Sequence, residues 1–256
     1  MPRKRKVRRR RRRAGMERLV RPMSVLLAAV AVVAALTLFF KVDRVVVTGN
    51  SRYQADEVAA ATGVERGDNL ILLDKRGIAQ RLYTQLPYIM EVRINRQLPN
   101  TLLVEVTETQ AIAAIQGAGA YWLLSASGKL LEAADAAAAQ DYMAILGAEA
   151  QGPEVGTFLS LPEESPLSAG RLAELLAALE EQGLLARVDD IDLSGAEELV
   201  LDYDGRFRVE MFYDADFSFK FHCLKEAVSR LEPNEKGTIR MTMQNDNEAR
   251  FIPAGG

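Results

Sequence analysis

A run of nineteen residues without a charge, "PMSVLLAAVAVVAALTLFF" at positions 22–40, constrains this chain more than any other feature. As a helix it would be about 28 Å long, close to the hydrocarbon thickness of a bilayer. No polar face interrupts it, so it reads as a transmembrane helix and not as the surface helix of a soluble domain. A cleavable signal peptide is the competing reading. Its apolar core spans about 7–15 residues, whereas this run continues past the small residues near Ala35 to Phe39 and Phe40.

Charge then sets an orientation. Residues 1–21 hold twelve Lys or Arg against Glu17 alone, so the net charge of −3 divides into +11 on that tail and −14 on the rest. Beyond the run only Lys41 and Arg44 follow closely. The positive-inside rule places the N-terminus in the cytoplasm and everything after Lys41 outside. Cations lying within a Debye length of an anionic leaflet gain roughly 1 kcal/mol each, so the tail is expected to meet anionic lipid. Counterion release would act on the same charges with nucleic acid, but for a chain tied so soon to a membrane, topology anchoring is the favoured reading. Nucleic acid is not expected as a partner.

The first segment beyond the span has clear punctuation. Val42 to Val47 reads as a strand ended by Gly49 and Asn50. A helix follows with Ser51 as N-cap, Gln54 completing a capping box and Gly63 at its C-terminal side. Asp74 caps a second helix whose Ile78, Leu82 and Leu86 share one face, and Pro87 stops it. Two alternating segments come next. Met90, Val92 and Ile94 line one face, and Leu102, Val104 and Val106 line another, with "LPN" at the bend. The sum is a β-α-α-β-β unit.

A membrane span followed at once by "FKVDRVVVTGNSRYQADEV", then "GDNLILLD" and "LPYIMEVRINRQLPNTLLVEVTET", resembles the POTRA domain of the FtsQ/DivIB family of bacterial cell-division proteins. The order of elements and their closeness to the membrane carry the likeness, which is best between Val42 and Thr109. It implies an α+β chain with a basic cytoplasmic tail at 1–21, one transmembrane helix at 22–40, a POTRA domain at 41–110 and a β-rich domain with helices at 111–253. It implies a single-pass scaffold at the division septum, not an enzyme, with no cofactor and with partners of the FtsB/DivIC and FtsL type. In the family those partners dock at the end of the β domain. By that resemblance and by position, the partner-binding residues are expected to be Thr238, Ile239, Arg240, Met241, Thr242, Met243, Gln244, Phe251 and Ile252. A strand edge there would offer unpaired amides and carbonyls for a partner's extended segment to complete. The chain departs from the family in one place: "GTIRMTMQNDNEARF" has Arg240 and Met241 where members commonly end on a Gly-Xaa-Ile/Val-Asp-type strand. The strand survives that change, but its contacts do not carry over.

Further along, "YWLLSASGKLLEAAD" suggests a hairpin turning near Ser127 and Gly128, and residues 147–170 read as loop. "RLAELLAALEEQG" is an amphipathic helix with Leu172, Leu175, Leu176 and Leu179 on one face and Gly183 as its stop. In "ELVLDYDGRFRVEMF" a two-residue Asp204-Gly205 turn would put the two apolar rows on opposite faces. A three-residue loop from Tyr203 to Gly205, with Gly205 left-handed, instead sets Leu201 against Phe207, Leu199 against Val209 and Asp202 against Arg206. Asp216 to Leu231 reads as a helix with Phe217, Phe221, Leu224, Val228 and Leu231 inward and Phe219 outward, ended by Pro233. "GTIRMTMQ" is a half-buried strand with Ile239, Met241 and Met243 on its apolar face, and "ARFIP" closes the chain.

Catalytic signals are sparse. Cys223 is the only cysteine, which excludes an internal disulfide, and with His222 the only histidine it leaves little material for a Cys/His metal site. His222 and Cys223 are neighbours on a helix and diverge by about 100°, so they read as surface or rim residues. The sequence has no G-x-S-x-G elbow, P-loop or G-x-G-x-x-G. Asp189, Asp190 and Asp192 in "VDDIDL" would be the material for an acid/base pair in a membrane-anchored enzyme acting on the cell-wall polymer. Solvated charge is the favoured reading of these acids. "DYDG" lacks the spacing of a calcium loop.

Overall fold

The computed structural model describes residues 23–33, 39–242 and 249–254. Residues 23–33 form a helix, α1, whose residues are all exposed, including Val25 and Leu27. Among the described residues no helix is long and apolar enough to cross a membrane. Pro22 and positions 34–38 of the expected span, and the whole basic tail, lie outside the described residues.

Contacts divide the chain into two compact units, one reaching Arg81 and including Glu91–Val106, the other comprising Leu82–Met90 and everything from Thr107 on. The first part of the chain forms β1 (Arg44–Thr48), α2 (Ala55–Ala61), α3 (Lys75–Gln85), β2 (Ile89–Gln97) and β3 (Thr101–Glu108), in the expected β-α-α-β-β order. Its sheet runs β1-β3-β2. β1 lies parallel to β3, from Arg44 opposite Thr101 to Thr48 opposite Glu105, a pairing that needs the long crossover the two helices supply. Ile78, Leu82 and Leu86 are buried as their spacing requires, and so are Leu102, Val104 and Val106. The Asp74 carboxylate accepts the Arg76 amide at 3.0 Å, as its capping role demands. The α2 cap is different from the one expected. Gln54, not Ser51, is the N-cap, because Asn50 donates its side-chain amide to the Tyr53 carbonyl at 2.9 Å and residues 51–53 are spent in that bend.

The second part builds a nine-stranded sheet from described residues: β4 (Ala113–Gly117), β5 (Ala120–Leu124), β6 (Leu130–Ala134), β7 (Met143–Glu149), β8 (Val188–Asp192), β9 (Glu198–Tyr203), β10 (Phe207–Phe212), β11 (Gly237–Arg240) and β12 (Arg250–Pro253). The spatial order is β12-β11-β10-β9-β8-β7-β4-β5-β6. A short helix α4 (Ala136–Ala139) and two longer ones, α5 (Ala169–Glu181) and α6 (Phe217–Ser229), complete it. Leu172, Leu175, Leu176 and Leu179 of α5 join Phe217, Phe221 and Leu224 of α6 in one core with Ile115, Ile191, Leu201, Val209 and Ile239 of the sheet. Phe219 points outward, as its place on the helix dictates. The β5–β6 hairpin turns where expected, with Gly128 at φ 77°.

Two expectations need correction. Positions 147–149 belong to β7 and positions 169–170 to α5, and are not loop. The β9–β10 loop is Asp204 to Arg206, one residue later than expected, so Leu201 faces Val209, Leu199 faces Met211 and Asp202 faces Arg208. The cause is Tyr203. Its side chain is fully buried and extends the inward row of Leu199 and Leu201, while Asp204 and Gly205 both take positive φ, at 58° and 57°. Arg187 holds the Asp204 carboxylate through two hydrogen bonds of 3.0 and 2.8 Å. The shift is by a whole cross-strand pair, so the apolar residues keep their face.

Candidate functional site

Five of the expected partner-binding residues lie on two strands of unequal standing, while Met241 and Thr242 follow the first strand, which ends at Arg240 and does not continue through them as expected. Thr238, Ile239 and Arg240 lie on β11, which is paired on both sides: parallel to β10, with Arg208 opposite Thr238, and antiparallel to β12, with Thr238 opposite Ile252 and Ile239 opposite Phe251. Ile239 and Met241 are buried and Thr242 is half-buried. Met243 and Gln244 lie outside the described residues. Phe251 and Ile252 lie on β12, the terminal strand of the sheet, and among the described residues nothing pairs with its outer side.

The hydrogen-bond phase of that edge follows from three backbone bonds. Gly237 donates to the Arg206 carbonyl and Met241 to the Glu210 carbonyl, so residues 237, 239 and 241 address β10. Ala254 donates to the Lys236 carbonyl at 2.9 Å. In an antiparallel ladder bonded and non-bonded pairs alternate, so Arg250 and Ile252 address β11 while the backbone of Phe251 and Pro253 faces outward. Phe251 offers both an N–H and a C=O there. Pro253 offers a carbonyl only, since proline has no N–H. The strand is fixed from below by the Phe251 ring, which meets Phe207 edge-on at 6.0 Å between centroids. The Ile252 side chain points to the other face and is exposed.

That other face carries charge. One row crosses from β8 to β12: Asp190 opposite Asp202, Asp202 opposite Arg208, Arg208 opposite Thr238, and Thr238 opposite Ile252. Beside it the buried Glu210 accepts from Arg240 at 2.8 Å and from Arg208 at 3.4 Å. A groove of about 520 Å³ runs over this row, with Asp202, Arg208, Thr238 and Ile252 in its lining. A larger groove of about 860 Å³ lies toward the opposite sheet edge, with Tyr121, Tyr142, Leu146 and Glu149 in its lining.

The three acids of "VDDIDL" fall on β8, where Asp189 is exposed and Asp190 and Asp192 are half-buried. Burial, and after it the carboxylates of Asp202, Asp192 and Asp189, push the Asp190 carboxyl above the usual carboxylate range, against the pull of Arg208. Asp192 moves the other way, held down by the Ser194 hydroxyl and amide. The folded state therefore holds the Asp190 proton more tightly than the unfolded chain does. That contribution to stability is fully present below the ordinary carboxylate pKa and is lost as pH rises through the raised value. Asp190→Asn is expected to melt higher than the wild type at neutral pH and together with it in acid. An equal difference at both pH values in thermal melts would remove the electrostatic explanation.

His222 is exposed, and Cys223 is partly buried against the core. Among the described residues no group of His, Cys, Asp and Glu is placed to hold a metal ion. Sequence reasoning missed Pro253 as part of the edge. The proline in "ARFIP" is the available signal, since proline within sheets is confined to outer strands, strand starts and bulges.

Residues 40–109 match the model of the POTRA domain, FtsQ-type. The chain is similar to the cell division protein FtsQ of Corynebacterium glutamicum, 34% identical over 105 residues, which are 41% of this chain and 47% of that protein. It is similar to the cell division protein DivIB of Clostridium acetobutylicum, 26% identical over 161 residues, 61% of each chain. A third relative, DivIB of Staphylococcus aureus, is 33% identical over 92 residues, 36% of this chain and 21% of that one. The matched stretches span less than two thirds of each of these relatives.

Proposed function

We propose that this chain, similar to the FtsQ and DivIB proteins and carrying an FtsQ-type POTRA match at residues 40–109, is a bitopic membrane scaffold of the bacterial division machinery. In this reading residues 1–21 stay in the cytoplasm against anionic lipid and residues 22–40 cross the membrane. The POTRA domain at 41–110 and the β domain at 111–253 stand outside at the septum. The protein acts by gathering other division proteins and not by catalysis.

The observation that supports this best is the outer side of β12, which no strand covers among the described residues. An edge strand with an exposed amide and carbonyl is a template for strand addition, in which main-chain bonds give affinity and side chains on the two faces give selectivity. Membrane partners of the FtsB/DivIC and FtsL type would supply that strand. The charged row ending at Thr238 and Ile252 would then read its side chains.

The test separates amide from side chain. Phe251→Ala removes the ring and keeps the outward N–H, whereas Phe251→Pro removes both. One net backbone hydrogen bond contributes about 0.5–1.5 kcal/mol, so the proline variant is expected to capture the partner up to about tenfold more weakly than the alanine variant. Co-purification of the full chain with its division partners measures it, with circular dichroism to show that both variants fold. Equal capture by the two variants would remove β12 as the docking strand. A fluorescent fusion that fails to concentrate at midcell would remove the division role itself.

A further inference from the structure

We propose that the turn Asn69–Leu72 is a second membrane contact, an apolar tip that rests in the headgroup and upper acyl region of the outer leaflet beside the exit of the span. This rests on the reading of residues 22–40 as membrane-spanning, and the experiment below distinguishes the two.

The first observation is one of direction. Phe40 to Val42 and Gly67 to Leu70 form a short antiparallel ribbon. Lys41 bridges Asn69. Leu70 donates to the Phe40 carbonyl at 2.9 Å, Val42 to the Asp68 carbonyl at 2.8 Å, and Gly67 to the Val42 carbonyl at 2.8 Å. In an antiparallel ribbon, moving forward from Asn69 and backward from Lys41 leads the same way in space. Backward from Lys41 lies the apolar run. The turn Asn69–Leu72 therefore closes at the level of Phe40 and Phe39, at the membrane end of this unit.

The second observation is what stands there. Leu72 is 73% exposed, Phe39 70% and Ile71 39%, three large apolar side chains on adjoining segments. Scattered apolar residues on a surface need no explanation, but a cluster does. Leu70 between them is fully buried and fixes the turn to the core.

The third is the backbone. Lipid tolerates only polar groups that are already satisfied. The Asn69 side-chain oxygen accepts the amides of Ile71 at 2.9 Å and Leu72 at 3.2 Å, and the Asn69 carbonyl accepts Leu72 again at 3.1 Å. Arg96 donates to the Leu73 carbonyl at 2.8 Å, closing the turn from the other side. The amides at the tip are thus bonded within the protein while its side chains point away from it. The exposed Lys41 beside it suits the level of the phosphates, where cationic side chains settle.

The test places one cysteine at a time on a Cys223→Ala background and labels it with an environment-sensitive fluorophore. The full chain is reconstituted in vesicles of phosphatidylcholine and phosphatidylglycerol, with and without spin-labelled acyl chains. A label at Leu72→Cys is expected to emit blue-shifted and to be quenched by a spin label near the headgroup. A label at Val30→Cys is expected to be quenched by a deep one. A label at Asp56→Cys, on α2 beyond the far end of β1, is expected to keep its emission in water. If Val30→Cys is quenched and Leu72→Cys behaves like Asp56→Cys, the tip is not a lipid contact and the inference is overturned. If Val30→Cys is itself unquenched, the membrane span is what fails.

Discussion

Phe221→Ala is expected to lower the unfolding free energy of the nine-stranded part by about 3–5 kcal/mol, the range for emptying a buried aromatic site. Phe221 is fully buried in the middle of α6, with its ring stacked against Phe217 at 6.5 Å, and it belongs to the core that α5 and α6 share with the sheet. Both helices are already closed by their own caps, Ser168 for α5 and Asp216 for α6. The loss would therefore come from the cavity and not from unravelling. Trp122 is the only tryptophan; it donates to the Gly117 carbonyl at 3.0 Å and packs against that same core. Its fluorescence in a urea titration is the natural readout. An unchanged midpoint would mean that α6 does not cover this core.

Gly49→Ala is expected to cost about 3 kcal/mol, from forcing a left-handed conformation on a residue with a Cβ and from overpacking against a backbone that cannot yield. Gly49 has φ +82°, and a Cβ there would lie 2.1 Å from the Val106 carbonyl oxygen. A flexible side chain could move aside, but this contact is backbone of β3, to which β1 is paired just before the glycine. Amide exchange should accelerate through β1 and β3 together. Unchanged protection of β1 in the variant would contradict the close approach.

The β-α-α-β-β segment was legible because its signals are local: glycine stops, the Asp74 cap, the proline after α3 and two cleanly alternating strands. The α2 cap slipped, since a capping-box pattern does not show that Asn50 will tie up the preceding bend, and β1 runs from Arg44 to Thr48 where Val42 to Val47 was expected. The larger sheet was less legible. β4 and β7 each carry two alanines and are paired in parallel with each other, and β8 carries three acids and a register shift between Val188 and Asp190. None of the three presents the alternation of a strand buried on one face. The β9–β10 register missed by a pair because the depth of Tyr203 is set by the helices packed over it. At the candidate site, strand identity could be read from "GTIRMTMQ" and "ARFIP". Which of the two is outermost could not, because that depends on β11 returning to lie parallel beside β10, a long-range pairing without a local signature.

Pro253 bears on how the sheet tells a stranger from a copy of itself. If two copies met antiparallel along β12, centred on Phe251, the missing proline amide would be lost twice, once from each strand. A foreign segment with its full set of amides would meet that gap only once. The same residue thus makes edge-to-edge pairing of two copies less favourable than pairing with a segment that keeps all of its amides.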